Sequence, residues 1–415
     1  METAASSQQP GSPASSRDQS KPSFIPDIPY IRAQDGAEQR ATFFELFFDL
    51  VYVFAVTQLS HHLLADLTWK GAAEMAFMLI AVYWAWNYTT WMANWFDPET
   101  IPVRLILVYV MLASLLMSVA IPHGFGDQAL LFGCSYSALQ IGRNAFVVVV
   151  TPRGEFNQNF KQILAWSILS APLWVAGGLA SDELRWVLWL AALGLDLLAP
   201  LVMFWVPRVG STPTSQWQIN GQHFAERFQL FVIIAIGESI VLTGVTASGT
   251  GLGGAHVVAL SLAFLGSTAL WWLYFGHVAG AVAETIAQST ADEVGRMGRD
   301  VYTYLHLPII AGIVLFAVGD ELVVAHPNES LQLTGAIVTL GGPALYLLGV
   351  MATAARVGRP QSWARAVVVV LLLAAIPLAA VMPAIAVSAA LILLLGSLVV
   401  IEELTYRPLV RGEHR

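Results

Sequence analysis

Cysteine is almost absent from this sequence, with Cys134 as the single example in 415 residues. One cysteine rules out a disulfide within the chain and any cysteine-based metal cluster. Charged residues are also scarce, at 12% against roughly 25% in a soluble domain. No basic stretch stands out, so the sequence gives no sign of a nucleic-acid partner. These shortages exclude an ordinary water-soluble fold.

Apolar residues are abundant instead, at 56% of the chain. They occur in blocks of about twenty, the length a helix needs to cross ~30 Å of hydrocarbon at ~1.5 Å per residue. Blocks such as ARAVVVVLLLAAIPLAAVM lack the alternation of a transmembrane β-strand. Since every backbone group in a bilayer needs a partner within the protein, these blocks are expected to be helices. The sequence predicts an all-α, polytopic transmembrane helical bundle.

The apolar blocks predict about twelve spans. They lie near 42–65, 71–93, 103–122, 129–150, 160–180, 184–206, 226–247, 255–278, 301–319, 331–354, 364–382 and 384–403. The count ranges from ten to twelve because only Pro383 separates the last two spans and Pro308 interrupts the ninth. The expected domains are a disordered cytoplasmic tail (1–40), a six-helix half (41–206), a cytoplasmic linker (207–225), a second six-helix half (226–403) and a cytoplasmic tail (404–415).

The distribution of Lys and Arg predicts the orientation, because cytoplasmic loops carry an excess of both. With the N-terminus inside, the cytoplasmic segments hold Arg17, Lys21, Arg32, Arg40, Arg104, Arg153, Lys161, Arg208, Arg227, Arg296, Arg299, Arg356, Arg359, Arg365, Arg407, Arg411 and Arg415. The outside loops hold only Lys70 and Arg185. Both termini are therefore expected in the cytoplasm, which requires an even number of spans.

A weak internal repeat relates span 1 to span 7. FELF at 44–47 aligns with FQLF at 228–231 at an offset of 184. A second short similarity relates span 3 to span 9 at an offset of 195. Six spans per half would give two parallel halves, as in several transporter folds. Phe and Leu are so common in membrane helices that chance similarity stays an open alternative.

Span 1 carries two carboxylates inside the membrane, Glu45 and Asp49. They are four residues apart and so share a helix face. Charged side chains in hydrocarbon are costly, so they tend to face the bundle interior and to pair. Arg143 in span 4 lies at a depth similar to that of Asp49, and we expect these two to form a buried ion pair. Such a pair either lines a polar path or simply locks two helices together.

Span 7 has the second group of ionisable residues. His223, Glu226 and Arg227 crowd its cytoplasmic end, and Glu238 lies about 18 Å along the helix, near the midplane. A carboxylate at that depth needs a proton, a cation or a hydrogen-bond donor. Glu238 is therefore predicted to be a proton or cation site, with a buried, hydrogen-bonded glutamate as the alternative.

Asp196 and His306 are further candidates for a polar path. Asp196 in span 6 lies at a depth close to that of Glu238, and the two would line one cavity if their helices meet. His306 precedes Pro308, and a proline frees a backbone carbonyl where a helix lines a polar route. Each of these residues also has a plain packing interpretation.

Two aromatic clusters, YWAWNYTTWMANWF at 83–96 and LWWLYFGHVAG at 270–280, are consistent with a ligand cage. Membrane-interface belts and packing are the favoured interpretation, with Asn87 and His277 as polar exceptions. No HExxH, phosphate-binding loop or nucleophile elbow occurs in the sequence. We therefore expect no enzyme activity, no metal site and no cofactor.

Three segments together resemble a known family. RATFFELFFDLVYVFAVTQ, HFAERFQLFVIIAIGESIV and YTYLHLPIIAGIVLFAVG, in this order, are similar to the bacterial low temperature requirement A (LtrA) family over about residues 40 to 403. The resemblance implies a multi-spanning bacterial membrane protein linked by name to growth in the cold. Its motif positions coincide with Glu45, Asp49, His223, Glu226, Arg227, Glu238 and His306.

The leading hypothesis is a transporter or permease of the bacterial inner membrane whose polar path includes Glu238, Glu45, Asp49, Arg143, Asp196 and His306. The expected partners are the lipid bilayer and a small solute or ion. A non-transporting membrane sensor or scaffold is the main alternative, with the buried charges acting as helix locks. An intramembrane enzyme acting on lipids is a third, which would need a site around His223 or His306. The sequence does not predict the oligomeric state.

Overall fold

A computed structural model describes residues 24–32, 40–250 and 253–412. Within these stretches the protein is helical, and the β-type pairs are isolated bridges such as that between Ile31 and Phe96. The predicted all-α class is therefore confirmed. Most of the predicted N-terminal tail, together with Arg17, Lys21 and Arg415, lies outside the described residues.

Fourteen α-helices occur in the described residues. Six precede the central loop: α1 (Phe43–Ala65), α2 (Trp69–Trp95), α3 (Ile101–Ala120), α4 (Ala129–Val150), α5 (Glu155–Leu179) and α6 (Asp182–Leu201). Eight follow it: α7 (Gly221–Thr250), α8 (Gly254–Phe275), α9 (Val278–Ala287), α10 (Ala291–Met297), α11 (His306–Ala325), α12 (Gln332–Arg356), α13 (Trp363–Ala379) and α14 (Ala384–Gly412). A π-helical turn, Gly298–Leu305, joins α10 to α11.

Nine helical segments of the described chain are long and apolar enough to cross a membrane. Helices α2 and α4 are not among the nine: α2 is rich in Trp, Tyr and Asn, and α4 carries Gln140, Arg143 and Asn144. Helix α13 is apolar but only 17 residues long. Large apolar side chains cover the outer faces of α3 and α13, for example Leu105 and Val370. Such extensive apolar surface suits contact with lipid tails.

Helices α1 and α7 lie side by side near the middle of the bundle. Helix α1 contacts α2, α3, α7 and α11, and α7 also contacts α8 and α11. Glu45 pairs with His223, and Asp49, one turn further on, pairs with Arg227. Both pairs join residues 178 positions apart, so the two helices run parallel. We call the end of the bundle at which α1 and α7 begin the Glu45 end.

Several boundaries differ from the sequence-based expectation. Helix α7 begins at Gly221, inside the predicted linker, and α14 continues to Gly412, inside the predicted C-terminal tail. The ninth span is part of a longer helical run that starts with α10 and contains the π-helical turn. Residues 24–32, placed in the predicted tail, pack on the bundle: Phe24 and Ile25 are buried, and the backbone N–H of Arg32 donates to the Trp95 carbonyl. We call this stretch the N-terminal strap.

Candidate functional site

The site at the Glu45 end is a ladder of ionisable side chains between α1 and α7. Helix α1 contributes Glu45 and Asp49, and α7 contributes His223 and Arg227, each pair one helical turn apart. All four side chains are at most 1% exposed. Because successive turns of two parallel helices face each other here, the acidic pair of α1 meets the basic pair of α7 in register.

Glu45 is fixed by both its own helix and its neighbours. It forms a capping box with Thr42: the Glu45 backbone N–H donates to the Thr42 hydroxyl, and the Thr42 N–H donates to Glu45 Oε2 over 2.8 Å. Its Oε1 lies 3.0 Å from His223 Nε2. The amide nitrogen of Asn94 lies 3.0 Å from His223 Nδ1. Since an amide nitrogen only donates, Nδ1 accepts and Nε2 carries the proton toward Glu45.

Asp49 binds a donor from each of two neighbouring helices. Its Oδ1 accepts hydrogen bonds from Arg227 Nη2 at 2.7 Å and from Trp86 Nε1 at 2.9 Å. The guanidinium of Arg227 also lies 5.9 Å from the centre of the Phe48 ring. Asp49 Oδ2 and Arg227 Nε and Nη1 are buried without a hydrogen-bond partner among the described residues. The pair is therefore held through a single carboxylate oxygen of Asp49.

The predicted ion pair between Asp49 and Arg143 is wrong. Arg143 instead donates to Gln140 Oε1 on its own helix and, over 3.3 Å, to the Thr89 hydroxyl on α2. It also lies 5.2 Å above the Tyr88 ring. Arg143 and Asp49 were paired because their predicted depths in the membrane are equal. In the structure α7 packs against α1, and its Arg227 is the cation that contacts Asp49.

Asp196 belongs to a separate polar network in the first half of the chain. Its Oδ2 accepts from Tyr136 and from Trp174 Nε1, both at 3.0 Å. Gln140 donates to the Tyr136 hydroxyl over 2.9 Å, which connects Asp196 to Arg143. Within the described part of the chain, the hydrogen bonds of this network do not extend to Glu238. The structure thus places Asp196 among the helix-to-helix contacts of α4, α5 and α6.

Glu238 is 2% exposed and lies between α1 and α11. Thr57 of α1 and Glu321 of α11 lie near its carboxyl group, while the Thr57 hydroxyl donates its hydrogen bond to the Val53 carbonyl over 3.1 Å. Glu321 in turn accepts a hydrogen bond from Thr246 of α7 at 3.0 Å. Glu238 Oε1 and Glu321 Oε2 have no hydrogen-bond partner in the described part of the chain. A buried carboxyl oxygen without a donor favours the binding of a proton or a cation.

His306 is buried and fully hydrogen-bonded. Its Nδ1 lies 2.9 Å from the Val301 carbonyl, which belongs to the π-helical turn, and its Nε2 lies 2.7 Å from the Tyr274 hydroxyl. The rings of Phe228 and Tyr302 pack against it. The bonded carbonyl comes from the π-helical turn rather than from the residue four before Pro308. This surrounding matches the packing interpretation of His306.

Comparison with known proteins connects this site to a family. The family model described as "Bacterial low temperature requirement A protein (LtrA)" matches residues 40–400. The chain belongs to this family. The uncharacterized protein RA0937 of Rhizobium meliloti (strain 1021) is 38% identical over 325 residues, which is 78% of this chain and 79% of the relative. No solved structure matches the chain. Family membership and the apolar helices together make it a multi-pass integral membrane protein.

In this LtrA family member, sequence reasoning missed several partners of the motif residues. Arg32 of the N-terminal strap lies on Glu45, with Nη2 2.9 Å from Oε2. Trp86 and Asn94 of α2 bind Asp49 and His223, and were assigned only to an aromatic cluster. Glu226, in contrast, faces the chain before α1 and accepts from the Ala41 N–H at 3.0 Å. Asn94 was detectable, because an amide inside an apolar helix needs partners.

A second buried ion pair lies in the last two helices of this LtrA protein. Arg365 of α13 donates to both carboxylate oxygens of Glu402 on α14, each over 2.6 Å, and to the Leu273 carbonyl of α8 over 3.1 Å. Both residues are under 5% exposed. The charge pattern had assigned Arg365 only to a cytoplasmic loop. The two-oxygen geometry ties three helices together.

The two aromatic clusters behave differently. Trp84 and Trp86 of the first cluster are fully buried, whereas Trp271 and Trp272 of the second are about two-fifths exposed, at 43% and 41%. Asn87 lines a small cavity of about 40 Å³ with aromatic walls. His277 lines a larger one of about 480 Å³ between α8, α9, α12 and α13. In the described residues, no group of three or more His, Cys, Asp or Glu side chains is placed to hold a metal ion.

Proposed function

We propose that this LtrA protein is a transporter or permease of the bacterial inner membrane that moves a proton or a small cation between α1 and α7. In this proposal about twelve helices cross the bilayer and both termini are cytoplasmic. Helices α2, α4 and α13 join the nine apolar segments as spans. The Glu45 end then faces the cytoplasm, where the excess of Arg and Lys is expected. The chain acts as a transporter rather than as an enzyme.

The arrangement of helices supports two parallel halves. Helix α1 contacts α2 and α3, and α3 is followed by the contacting pairs α3–α4, α4–α5 and α5–α6. Helix α7 likewise contacts α8 and α11, followed by α11–α12, α12–α13 and α13–α14. The parallel course of α1 and α7 fits six crossings between them. Short helices α9 and α10 would be an insertion in the second half.

The observation that carries the proposal is a line of polar side chains along these two helices, which we call the α1–α7 seam. It contains Glu45, Asp49, Thr57 and His61 of α1, His223, Arg227, Glu238 and Thr246 of α7, and Glu321 of α11. From Glu45 to His61 the seam covers about 24 Å along α1, most of a hydrocarbon core of ~30 Å. Ionisable residues inside a bundle commonly mark ion or proton pathways.

Glu238 is the central step of the seam. It lies between the ion pairs of the Glu45 end and Glu321, and its Oε1 has no hydrogen-bond partner in the described residues. A proton or cation bound there would satisfy both Glu238 and Glu321. Transport would then require the ion to pass from this pair to Asp49 while the Arg227 guanidinium moves aside.

The test is flux through the purified protein in proteoliposomes. Vesicles would carry an internal pH indicator, with Na⁺ and K⁺ uptake measured in parallel. We expect Glu238→Gln to reduce the flux of the transported ion to the level of protein-free vesicles. Asp196→Asn is the matched control, because Asp196 is a buried carboxylate away from the seam, and this variant should keep its flux. Unchanged flux of every probe in Glu238→Gln would contradict the proposal.

A scaffold or sensor without transport is the second candidate, favoured by the buried acid–base pairs that join the helices. Glu45, Asp49 and Glu402 each have a basic partner within 3.0 Å. Buried pairs of this kind suit helix locks that keep the bundle in one arrangement. This candidate requires that proton, Na⁺ and K⁺ flux of the wild-type protein all equal those of protein-free vesicles.

A further inference from the structure

The N-terminal strap inserts one arginine into the Glu45 end. The Nε of Arg32 donates to the Ala93 carbonyl over 2.9 Å, and its Nη2 lies 2.9 Å from Glu45 Oε2. The Arg32 side chain is 8% exposed. A residue far outside the apolar spans therefore reaches the first charged group of the α1–α7 seam.

Two hydrogen-bond acceptors contact this guanidinium, the Ala93 carbonyl and the Glu45 carboxylate. Helix α2 ends at Trp95, so the Ala93 carbonyl in its last turn lacks a helical partner and carries partial negative charge, whereas the Trp95 carbonyl accepts from the Arg32 backbone N–H. Glu45 adds a full negative charge, and the capping box with Thr42 holds its carboxylate in place. We call these two acceptors, the Glu45 carboxylate and the Ala93 carbonyl, the cation cradle.

The strap is anchored independently of the Arg32 side chain. The rings of Phe24 and Phe156 lie 5.5 Å apart, and the Tyr30 carbonyl accepts from the Asp97 N–H over 2.8 Å. Backbone bonds also pair Ile31 with Phe96. The side chain of Arg32 is thus free to be replaced in the cation cradle while the strap stays bound.

The fit of Arg32 in the cradle is incomplete. Although Nη2 lies 2.9 Å from Glu45, it makes no hydrogen bond of acceptable angle in the described structure. A guanidinium bound without strain usually donates two parallel bonds to a carboxylate. The tether of the strap holds the Arg32 guanidinium away from that geometry, and an untethered cation has no such restriction.

We propose that the cation cradle is a binding site for a small organic cation of the guanidinium type, and that Arg32 occupies it as a competitor within the same chain. The planar cation would donate to Glu45 and to the Ala93 carbonyl, in the place that the Arg32 side chain occupies. The inference rests on the proposed function in naming this class as the solute that enters the α1–α7 seam, because Glu45 also contacts His223. Removal of Arg32 would then open the site.

The experiment measures binding rather than transport. The full chain would be reconstituted in lipid nanodiscs, and methylguanidinium would be titrated by calorimetry at constant ionic strength. We expect Arg32→Ala to lower the apparent Kd for methylguanidinium by about tenfold or more relative to wild type, since an internal occupant reduces the fraction of open sites. Arg32→Lys keeps a positive occupant and should bind as weakly as wild type.

Two controls make the result specific. Arg104→Ala removes an arginine that lies outside the cradle. The Arg104 side chain pairs with Glu99 and is 44% exposed, so its removal should leave methylguanidinium binding as in wild type. Tetramethylammonium has no N–H donor and should not bind to Arg32→Ala. If Arg32→Ala gains no affinity, or Arg104→Ala gains as much, or tetramethylammonium binds equally well, the proposal is overturned.

Failure of the proposed function would look different. Absence of flux in proteoliposomes, with methylguanidinium binding intact in Arg32→Ala, would remove the transport proposal and leave the binding site. Flux that depends on Glu238, with no binding to Arg32→Ala, would leave the transport proposal and remove the site.

Discussion

Asp49 of α1 and Arg227 of α7 form an ion pair in the interior of the bundle, with 2.7 Å between Oδ1 and Nη2 and no exposure of either side chain. The pair joins the first helix of the chain to the first helix after the central loop. One of its carboxylate oxygens and two of its guanidinium nitrogens have no hydrogen-bond partner in the described residues. Because both charges are buried, removal of either residue leaves the other charge in the bundle interior without its counter-charge.

Loss of the Asp49 charge should destabilise the bundle strongly. Asp49→Asn leaves the Arg227 charge buried without its counter-charge, which typically costs about 3–5 kcal/mol. We expect a clear fall in the unfolding temperature of the purified protein in detergent. The double variant Asp49→Leu with Arg227→Met removes both charges and should recover much of that loss.

The matched control for this prediction is the exposed pair of Arg104 and Glu99. Its members are 44% and 58% exposed, and exposed pairs contribute about 0–1 kcal/mol. Arg104→Gln should therefore change the unfolding temperature little. Equal losses in Arg104→Gln and Asp49→Asn would show that burial of the Asp49–Arg227 pair has no special effect.

The sequence predicted much of this site but not its pairing. The spacing of Glu45 and Asp49 in α1 placed both on one face, and the resemblance to the LtrA family covered His223 and Arg227. The depth of a residue in the membrane is a single coordinate, so equal depth did not reveal which helix lies beside α1. Arg143 was therefore assigned to Asp49, whereas the hydrogen bonds of Arg143 are made with α2 and with its own helix.

The N-terminal strap was missed for a different reason. Residues 24–32 lie in a region rich in Ser, Pro and Gln, and composition averaged over that region indicates disorder. Five apolar or aromatic residues are too few to outweigh such an average: Ile28 and the four that pack on the bundle, Phe24, Ile25, Tyr30 and Ile31. They pack nevertheless because α2 and α5 present aromatic side chains, among them Phe96 and Phe156, at the Glu45 end.

Replacement of Asn94 should destabilise the Glu45 end as much as replacement of a charged residue there. Its side chain donates to His223 Nδ1 and to the Asn220 carbonyl, and accepts from the Asn220 N–H over 2.8 Å. Asn94→Leu leaves these buried groups unpaired, at about 1–3 kcal/mol each. We expect a lower unfolding temperature in Asn94→Leu, and ¹⁵N NMR of labelled histidine should show a shift of the His223 Nδ1 resonance, because Nδ1 loses its donor while Nε2 keeps its proton toward Glu45. An unchanged histidine spectrum would contradict the assigned hydrogen bond.

Arg365 should not be replaceable by lysine. Its two hydrogen bonds to Glu402 need the planar fork of a guanidinium, which a single ammonium group cannot reproduce. We expect Arg365→Lys to lower the unfolding temperature although the charge is conserved. Arg356→Lys is the control. Arg356 is the last residue of α12, its side chain pairs with Asp300, and that side chain is 36% exposed. It should therefore tolerate the change better. A larger loss in Arg356→Lys would contradict the role given to the Arg365–Glu402 pair.

Two adjacent glycines of α12 offer a sharp test of how closely α11 and α12 pack. A Cβ on Gly342 would lie 2.6 Å from the Phe316 backbone nitrogen and 3.0 Å from the Gly312 carbonyl oxygen of α11, whereas a Cβ on Gly341 would meet only the side chain of Ile337 at 4.0 Å. Backbone atoms of a packed helix cannot move aside as a flexible side chain does, so Gly342→Ala must push the two helices apart. Overpacking of this kind typically costs about 1–3 kcal/mol, while Gly341→Ala should be neutral or slightly stabilising because alanine is the better helix former. Thermal unfolding of the two variants in the same detergent measures the difference, and similar unfolding temperatures would mean that α11 and α12 are not in backbone contact at Gly342.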